Sequence, residues 1–298
     1  MSKMATIRCN YVPAHANRML FRTNKIIVLR RAYKGKPMTV ALGFRCEDGI
    51  VLCADTQITK EGALKYYQKK TFLVEGSDRW SVGFTYSGNP DVMDLVIEKM
   101  RERFLPDGIE VYDEKGERNI YLEPTIGVVR EIVEEVLIQV SKKHKKEMDS
   151  LEMLCAVSIA GKALEMFRTK RTLVAEAQWE CLGIGDSPLI RYLAEVFNWP
   201  HMSTKQALLL AVYMVQQAKK YVDGCGGDTD AIIFDRKGSG EKITRERIKY
   251  FEQYLESTMV EASSLFAAGI KTELSATETE LLLTAICRRF KNLKTGFA

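Results

Sequence analysis

The sequence holds no Cys-x-x-Cys pair, and its seven cysteines, at positions 9, 46, 53, 155, 181, 225 and 287, are scattered and odd in number. A disulfide framework and a structural zinc site are therefore not expected. The thiols suit a reducing compartment, so the expected location is cytoplasmic. No apolar run approaches about eighteen residues, so no membrane-spanning helix is expected. Internal repeats and low-complexity blocks are missing as well. Acidic residues are absent from Met1–Met38, which carries nine Lys or Arg.

That last absence divides the chain electrically. Whole, it has 44 basic and 39 acidic residues; without Met1–Met38 it has 35 basic against 39 acidic, a net of −4. The basic character belongs to the leader. Such a segment suits a nucleic-acid arm, an organelle transit peptide, a pro-segment, or upstream sequence ahead of a true start at Met38. Its apolar run Ile26–Leu29 is far shorter than the centre of a secretory signal. A pro-segment or displaced start is the preferred reading, and nucleic acid is not an expected partner.

The 298 residues, 46% of them hydrophobic, can bury a full core as one large domain or two smaller ones. Thr39–Arg45 and Ile50–Thr56 are rich in β-branched and apolar residues, and Glu47-Asp48-Gly49 between them signals a turn, so a β-hairpin is predicted. Thr59–Gln68 reads as a charged and aromatic loop. Strands are predicted over Lys70–Val74 and Trp80–Tyr86, and then a helix from Pro90 to about Phe104. Leu105–Glu123 reads as an irregular insertion and Thr125–Lys143 as a second helix. Strands follow over Met153–Ala160, Ala163–Thr169 and Glu180–Gly183, with a turn around Leu173–Gln178. Helices are predicted over Ser187–Phe197 and Ser203–Val222, the latter opened by the capping box Ser203-Thr204-Lys205-Gln206. Glycine-rich Asp223–Asp228 leads to strand Thr229–Asp235 and a short strand near Lys242–Thr244. Helical patterns occupy Glu246–Ala268 and Thr272–Asn292. The pattern is α+β.

A strand-borne hydroxyl at Thr39, a carboxylate at Asp55 and an amine at Lys70 are the parts of an activated-nucleophile site. Thr39-Val40-Ala41-Leu42-Gly43, Asp48-Gly49-Ile50-Val51-Leu52-Cys53-Ala54-Asp55 and Lys69-Lys70 resemble the start of a mature proteasome β-type subunit. They are also similar to the bacterial ATP-dependent ring protease of the same N-terminal-nucleophile (Ntn) hydrolase superfamily. The resemblance is specific over Thr39–Asp91 and diffuse beyond. Asp55 keeps the family's offset of sixteen from Thr39, whereas Lys70 lies fifteen beyond Asp55, one fewer than usual.

The resemblance implies a four-layer αββα sandwich over residues 39–245, preceded by the leader 1–38 and followed by a helical extension, 246–298. It implies a threonine-type endopeptidase in which Thr39, made N-terminal by removal of residues through Met38, attacks a peptide carbonyl. The freed amine, with an unperturbed pKa near 8, is the base. Lys70 sets the electrostatics and Asp55 holds Lys70, while Lys69 should face the other side of the strand. Gly88, after Ser87, would help bind the oxyanion. Ile58 and Thr59 would form the edge on which an extended peptide lies, and Tyr86 would partly fill the neighbouring side-chain pocket. No cofactor or metal is required. The implied partners are a peptide or unfolded protein, further copies in a ring or stacked rings, and an ATP-dependent unfoldase; a membrane is not among them.

Two places depart from the family pattern. Where the family has Gly-Ser-Gly, this chain has Gly183-Ile184-Gly185. Its later Asp-x-x-Ser-Gly-Gly appears as Asp223-Gly224-Cys225-Gly226-Gly227, with Asp223 one position late and Cys225 in the serine place. Cys225 is either a weak substitute donor or an inert buried thiol. Two rivals stay open: a catalytically inactive structural subunit of such an assembly, and a small-molecule amidase using the same nucleophile.

Overall fold

The computed structural model describes residues 39–59, 65–77, 79–105, 108–112, 115–121, 124–170, 172–183, 187–198 and 201–271, with scattered positions between 275 and 288. The leader expected over 1–38, Ile184 and Gly185, and most of the helical pattern at 272–292 lie outside the described residues.

The predicted hairpin forms from β1 (Val40–Arg45) and β2 (Gly49–Asp55), antiparallel from Ala41 opposite Ala54 to Arg45 opposite Ile50. Its turn is anchored from a distance. Asp48 accepts hydrogen bonds from the Thr204 N–H at 2.7 Å and the Thr204 hydroxyl at 3.2 Å, the residue that opens a later helix. Two short strands follow, β3 (Gln57–Thr59) and β4 (Lys65–Tyr67), paired with each other where a plain loop was expected. Next come β5 (Thr71–Ser77) and β6 (Trp80–Ser87). Helix α1 (Pro90–Arg103) begins at Asn89, whose side chain accepts from the Asp91 N–H, and has proline in its first turn.

The expected irregular insertion after α1 is instead a small meander of β7 (Phe104–Leu105), β8 (Gly108–Tyr112) and β9 (Arg118–Tyr121). Ile109 and Phe104 are buried there, so apolar contact outweighs the local Pro, Gly and charge signals. Then follow α2 (Ile126–Lys143), the single turn α3 (Lys145–Met148), β10 (Glu152–Ile159) and β11 (Ala163–Lys170). The segment expected as a turn around Leu173–Gln178 carries β12 (Leu173–Glu176), paired with β11, before β13 (Trp179–Gly183). Helices α4 (Pro188–Phe197) and α5 (Thr204–Tyr221) come next, and the capping box at Ser203 and Gln206 is formed. The chain continues through β14 (Thr229–Asp235), β15 (Gly240–Lys242) and α6 (Arg245–Lys271).

Two five-stranded sheets dominate, in the orders β13-β1-β2-β14-β15 and β12-β11-β10-β6-β5. Every strand pair in them is antiparallel. Period-two alternation gives each sheet two apolar faces. Leu52, Leu154, Met166, Ile232 and Phe234 join between the sheets. Gly43 is part of that contact, since a side chain there would meet Met166 Sδ at 2.5 Å. The other face of the first sheet (Leu42, Val51, Cys53) packs with α4, α5 and the start of α6 through Ile190, Leu208, Val212 and Phe251. The other face of the second (Val82, Phe84, Val157) packs with α1 and α2 through Val96, Ile132 and Val136. The fold is α+β.

Candidate active site

The end of β2 is where the apolar interior becomes polar. Asp55, its last residue, and Lys70, just before β5, are both 0% exposed, and Lys70 Nζ donates to Asp55 Oδ1 at 2.7 Å. The same oxygen accepts the backbone N–H of Val40 at 3.1 Å, and Asp55 Oδ2 accepts the N–H of Gly226 at 3.0 Å. Lys70 Nζ also donates to the carbonyl oxygen of Gln57. Burial pushes the Asp55 carboxyl up, opposed by Lys70 and the two N–H donors. Burial likewise pushes the Lys70 amine down, opposed by Asp55. The result is a desolvated ion pair with partners on three separate chain segments.

Thr39 is nearly buried, at 5% exposure, and precedes the residue whose N–H reaches Asp55. Val40 pairs with Gly183 across the sheet. Gly183 has φ +66, and a side chain there would meet Ser87 Oγ at 2.3 Å and the Thr39 carbonyl oxygen at 2.5 Å. Thr39, Gly183 and the end of β6 therefore crowd one another. Gly88 follows with φ +136, and a side chain there would meet the Ser150 carbonyl oxygen at 2.7 Å and Leu151 Cα at 2.8 Å, so none fits there either.

Other expected residues fall around this centre. Lys69 is exposed while Lys70 is buried, so the two adjacent lysines face opposite ways. Lys69 lines an outer cleft of about 490 Å³ with Tyr67, Asp228, Asp230, Lys242 and Arg245. Thr59 is half-buried at the end of β3, its hydroxyl accepting from Gln57 Nε2 at 3.3 Å. Tyr86 is buried on the helix-facing side of β6, its ring 6.1 Å from that of Phe72. Cys225 is buried, its thiol pushed up by burial and by Asp55 and drawn down by Lys70, which brings it within the field of the pair. Asp223 is exposed, and no hydrogen bond among the described residues joins it to Asp55 or Lys70. Two groups carry no sequence signature of their own, the Gly226 N–H and the Gln57 carbonyl. The glycine run around Gly226 was the only visible hint. Among the described residues no cluster of three or more His, Cys, Asp or Glu is arranged to hold a metal, and no helix is long and apolar enough to cross a membrane.

No protein-family profile matches the chain, and no curated protein matches it. Solved structures do. An Anbu described as an ancestral beta-subunit, from Yersinia bercovieri, is similar with TM-score 0.62 and 14% identity, over 80% of this chain and 98% of that one. A Gly-1 mutant of Anbu from Hyphomicrobium sp. strain MC1 is similar with TM-score 0.61 and 15% identity, over 76% and 96%. A third, described as a helical assembly of the Anbu complex from Pseudomonas aeruginosa, gives 0.60 and 14% over the same shares. The chain thus shares a fold with Anbu.

These findings correct the resemblance read from the sequence. Assignment to the proteasome β-type subunits and their bacterial relatives in the Ntn-hydrolase superfamily does not stand. The similar structures are of Anbu, and identities of 14–16% carry the fold and nothing finer. The physical reason is that the Thr39, Asp55 and Lys70 spacing reports a hairpin and the strand after it. Chains that share few other residues can hold that shape.

Proposed function

We propose that the chain is a threonine-type peptidase whose nucleophile is Thr39, exposed when the peptide bond after Met38 is cut. The observation that carries this reading is the wholly buried Asp55–Lys70 pair at 2.7 Å, fastened to the N–H of the residue after Thr39. A buried pair of this kind is a poor way to stabilise a fold, but it supplies a fixed field beside a hydroxyl. Thr39 Oγ attacks the peptide carbonyl and the freed amine takes its proton. That proton passes to the leaving amine, and water hydrolyses the resulting ester. A base held in place in this way typically contributes about 10²–10⁴ in rate. Lys70 lowers the proton affinity of the hydroxyl, and Asp55 orients Lys70. Gly88 and Thr59 would contact the substrate backbone, and Cys225 and Asp223 are auxiliary at most. Residues 39–245 form the catalytic unit as a four-layer αββα sandwich, with 246–298 added to it. Self-association is supported by the assembly described for the Pseudomonas protein.

A second reading, a catalytically silent structural subunit, is favoured by the burial of Thr39 and by Ile184 in place of a hydroxyl residue. One experiment separates them. The chain is expressed from Met1 and from Met38, both N-termini are determined, and each is treated with an electrophile that esterifies N-terminal threonine. Labelling of protein that begins at Thr39, lost in Thr39→Ala, is the expected result. No labelling of protein shown to begin at Thr39 would sink the peptidase.

A further inference from the structure

The proposed reaction leaves several buried hydroxyls unused. Those of Thr71, Thr85, Tyr86 and Ser87 have no hydrogen-bond partner among the described residues. Buried polar groups are ordinarily paired, so each calls for a reason. Strand alternation sorts those of β6. Gly83 lies on the inter-sheet face, because a side chain there would meet the Phe234 ring at 2.3 Å. Thr85 and Ser87, two and four positions on, share that face, whereas Tyr86 belongs to the cluster packed on α1 and α2.

Ser87 differs from Thr85 in what it faces. It is 0% exposed, ends β6, and its Oγ crowds the same point beside Gly183 as the Thr39 carbonyl oxygen. Gly183, in the left-handed region, offers no side chain. The next residue, Ile184, carries no hydroxyl. The hydroxyl found beside residue 39 therefore comes from the facing sheet.

We propose that Ser87 is a positioning residue for Thr39: once residue 39 is the first of the chain, Ser87 Oγ accepts a hydrogen bond from its amine, directly or through one water. This rests on the reading of Thr39 as an N-terminal nucleophile. No bond is made or broken at Ser87. Its hydroxyl fixes the direction of the amine's lone pair toward Thr39 Oγ. Because a hydrogen bond from an ammonium is stronger than one from a neutral amine, Ser87 also raises the amine's proton affinity.

The test uses the full chain, with the N-terminus of each preparation read by intact mass and the labelling rate followed against pH. Ser87→Ala is expected to slow labelling about tenfold and to move the acid limb of the profile down by about half a pH unit. Thr85→Val removes a hydroxyl from the same face while keeping its shape, and leaves both quantities unchanged. If Ser87→Ala does not fold, Ser87→Cys, similar in size and a weaker partner, shows the same shift in smaller measure. A Ser87→Ala protein with the parent's rate and acid limb overturns the role of Ser87 and leaves Thr39 in place. An equal shift in Thr85→Val overturns it in favour of general packing. A parent that begins at Thr39 and takes no label overturns the nucleophile and Ser87 together.

Discussion

Strand β2 passes through two interiors. At Ile50 and Leu52 it meets Leu154, Met166 and Phe234 in an apolar cluster between the sheets. At Asp55, on the same strand, the surroundings are Lys70 and the backbone N–H groups of Val40 and Gly226. Leu52 and Asp55 are both 0% exposed. The first interior stabilises by area removed from water, roughly 25 cal/mol per Å² of apolar surface. The second pays desolvation for two charges and recovers it only through directed contacts. Burial is shared, so burial does not explain the difference. The polar end is what a reaction centre requires and what a core would do without.

The contrast breaks most visibly if one charge is removed. Lys70→Ala strands the Asp55 carboxylate with two N–H donors, and urea denaturation should show a loss of about 4 kcal/mol. Replacing both partners with apolar residues, Asp55→Leu with Lys70→Met, should cost less than that single change while abolishing labelling. A double variant as unstable as Lys70→Ala would mean the pair is there for the fold. At the apolar end, Leu52→Ala should cost about 3 kcal/mol and leave the labelling rate of the folded protein unchanged. The smallest effect concerns a buried titratable group with no opposite charge beside it. Burial, with Asp48 adding to it, pushes the Cys46 thiol from 9.0 up to about 12. A group whose folded pKa is raised contributes stability below its unfolded pKa that is lost as pH rises toward the folded one. Urea midpoints should therefore fall between pH 9 and 12, and Cys46→Ala should flatten that fall.

Much of this contrast could be read from the sequence, for definite reasons. Runs of β-branched and apolar residues on either side of Glu47-Asp48-Gly49 announce the hairpin, and Asn89-Pro90 and Ser203 through Gln206 announce helix starts, because local hydrogen bonding decides them. The β7–β9 meander was hidden because its strands are short and interrupted by Pro, Gly and charge, and what holds them is pairing with one another and the burial of Phe104 and Ile109. β12 was hidden in the same way, as its pairing partner β11 supplies what Leu173–Glu176 lacks locally. In the site, Asp55 and Lys70 were visible as letters at a spacing. The Gln57 carbonyl and the Gly226 N–H were not, because every residue has such groups and only the fold aims them. Ser87 was visible as a small residue before a glycine, but its facing partner belongs to another sheet.

If Thr39 is freed by a cut after Met38, as proposed, the hydrogen bond from Val40 to Asp55 bears on how the chain would be switched on. It grips the chain one residue beyond the bond that would be severed, while β13 holds the same stretch from the other side. A fresh terminus produced there would have nowhere to wander and no conformational search to complete. Arming would be complete at the instant of the cut, its tempo set by whatever performs the scission and not by any rearrangement that follows.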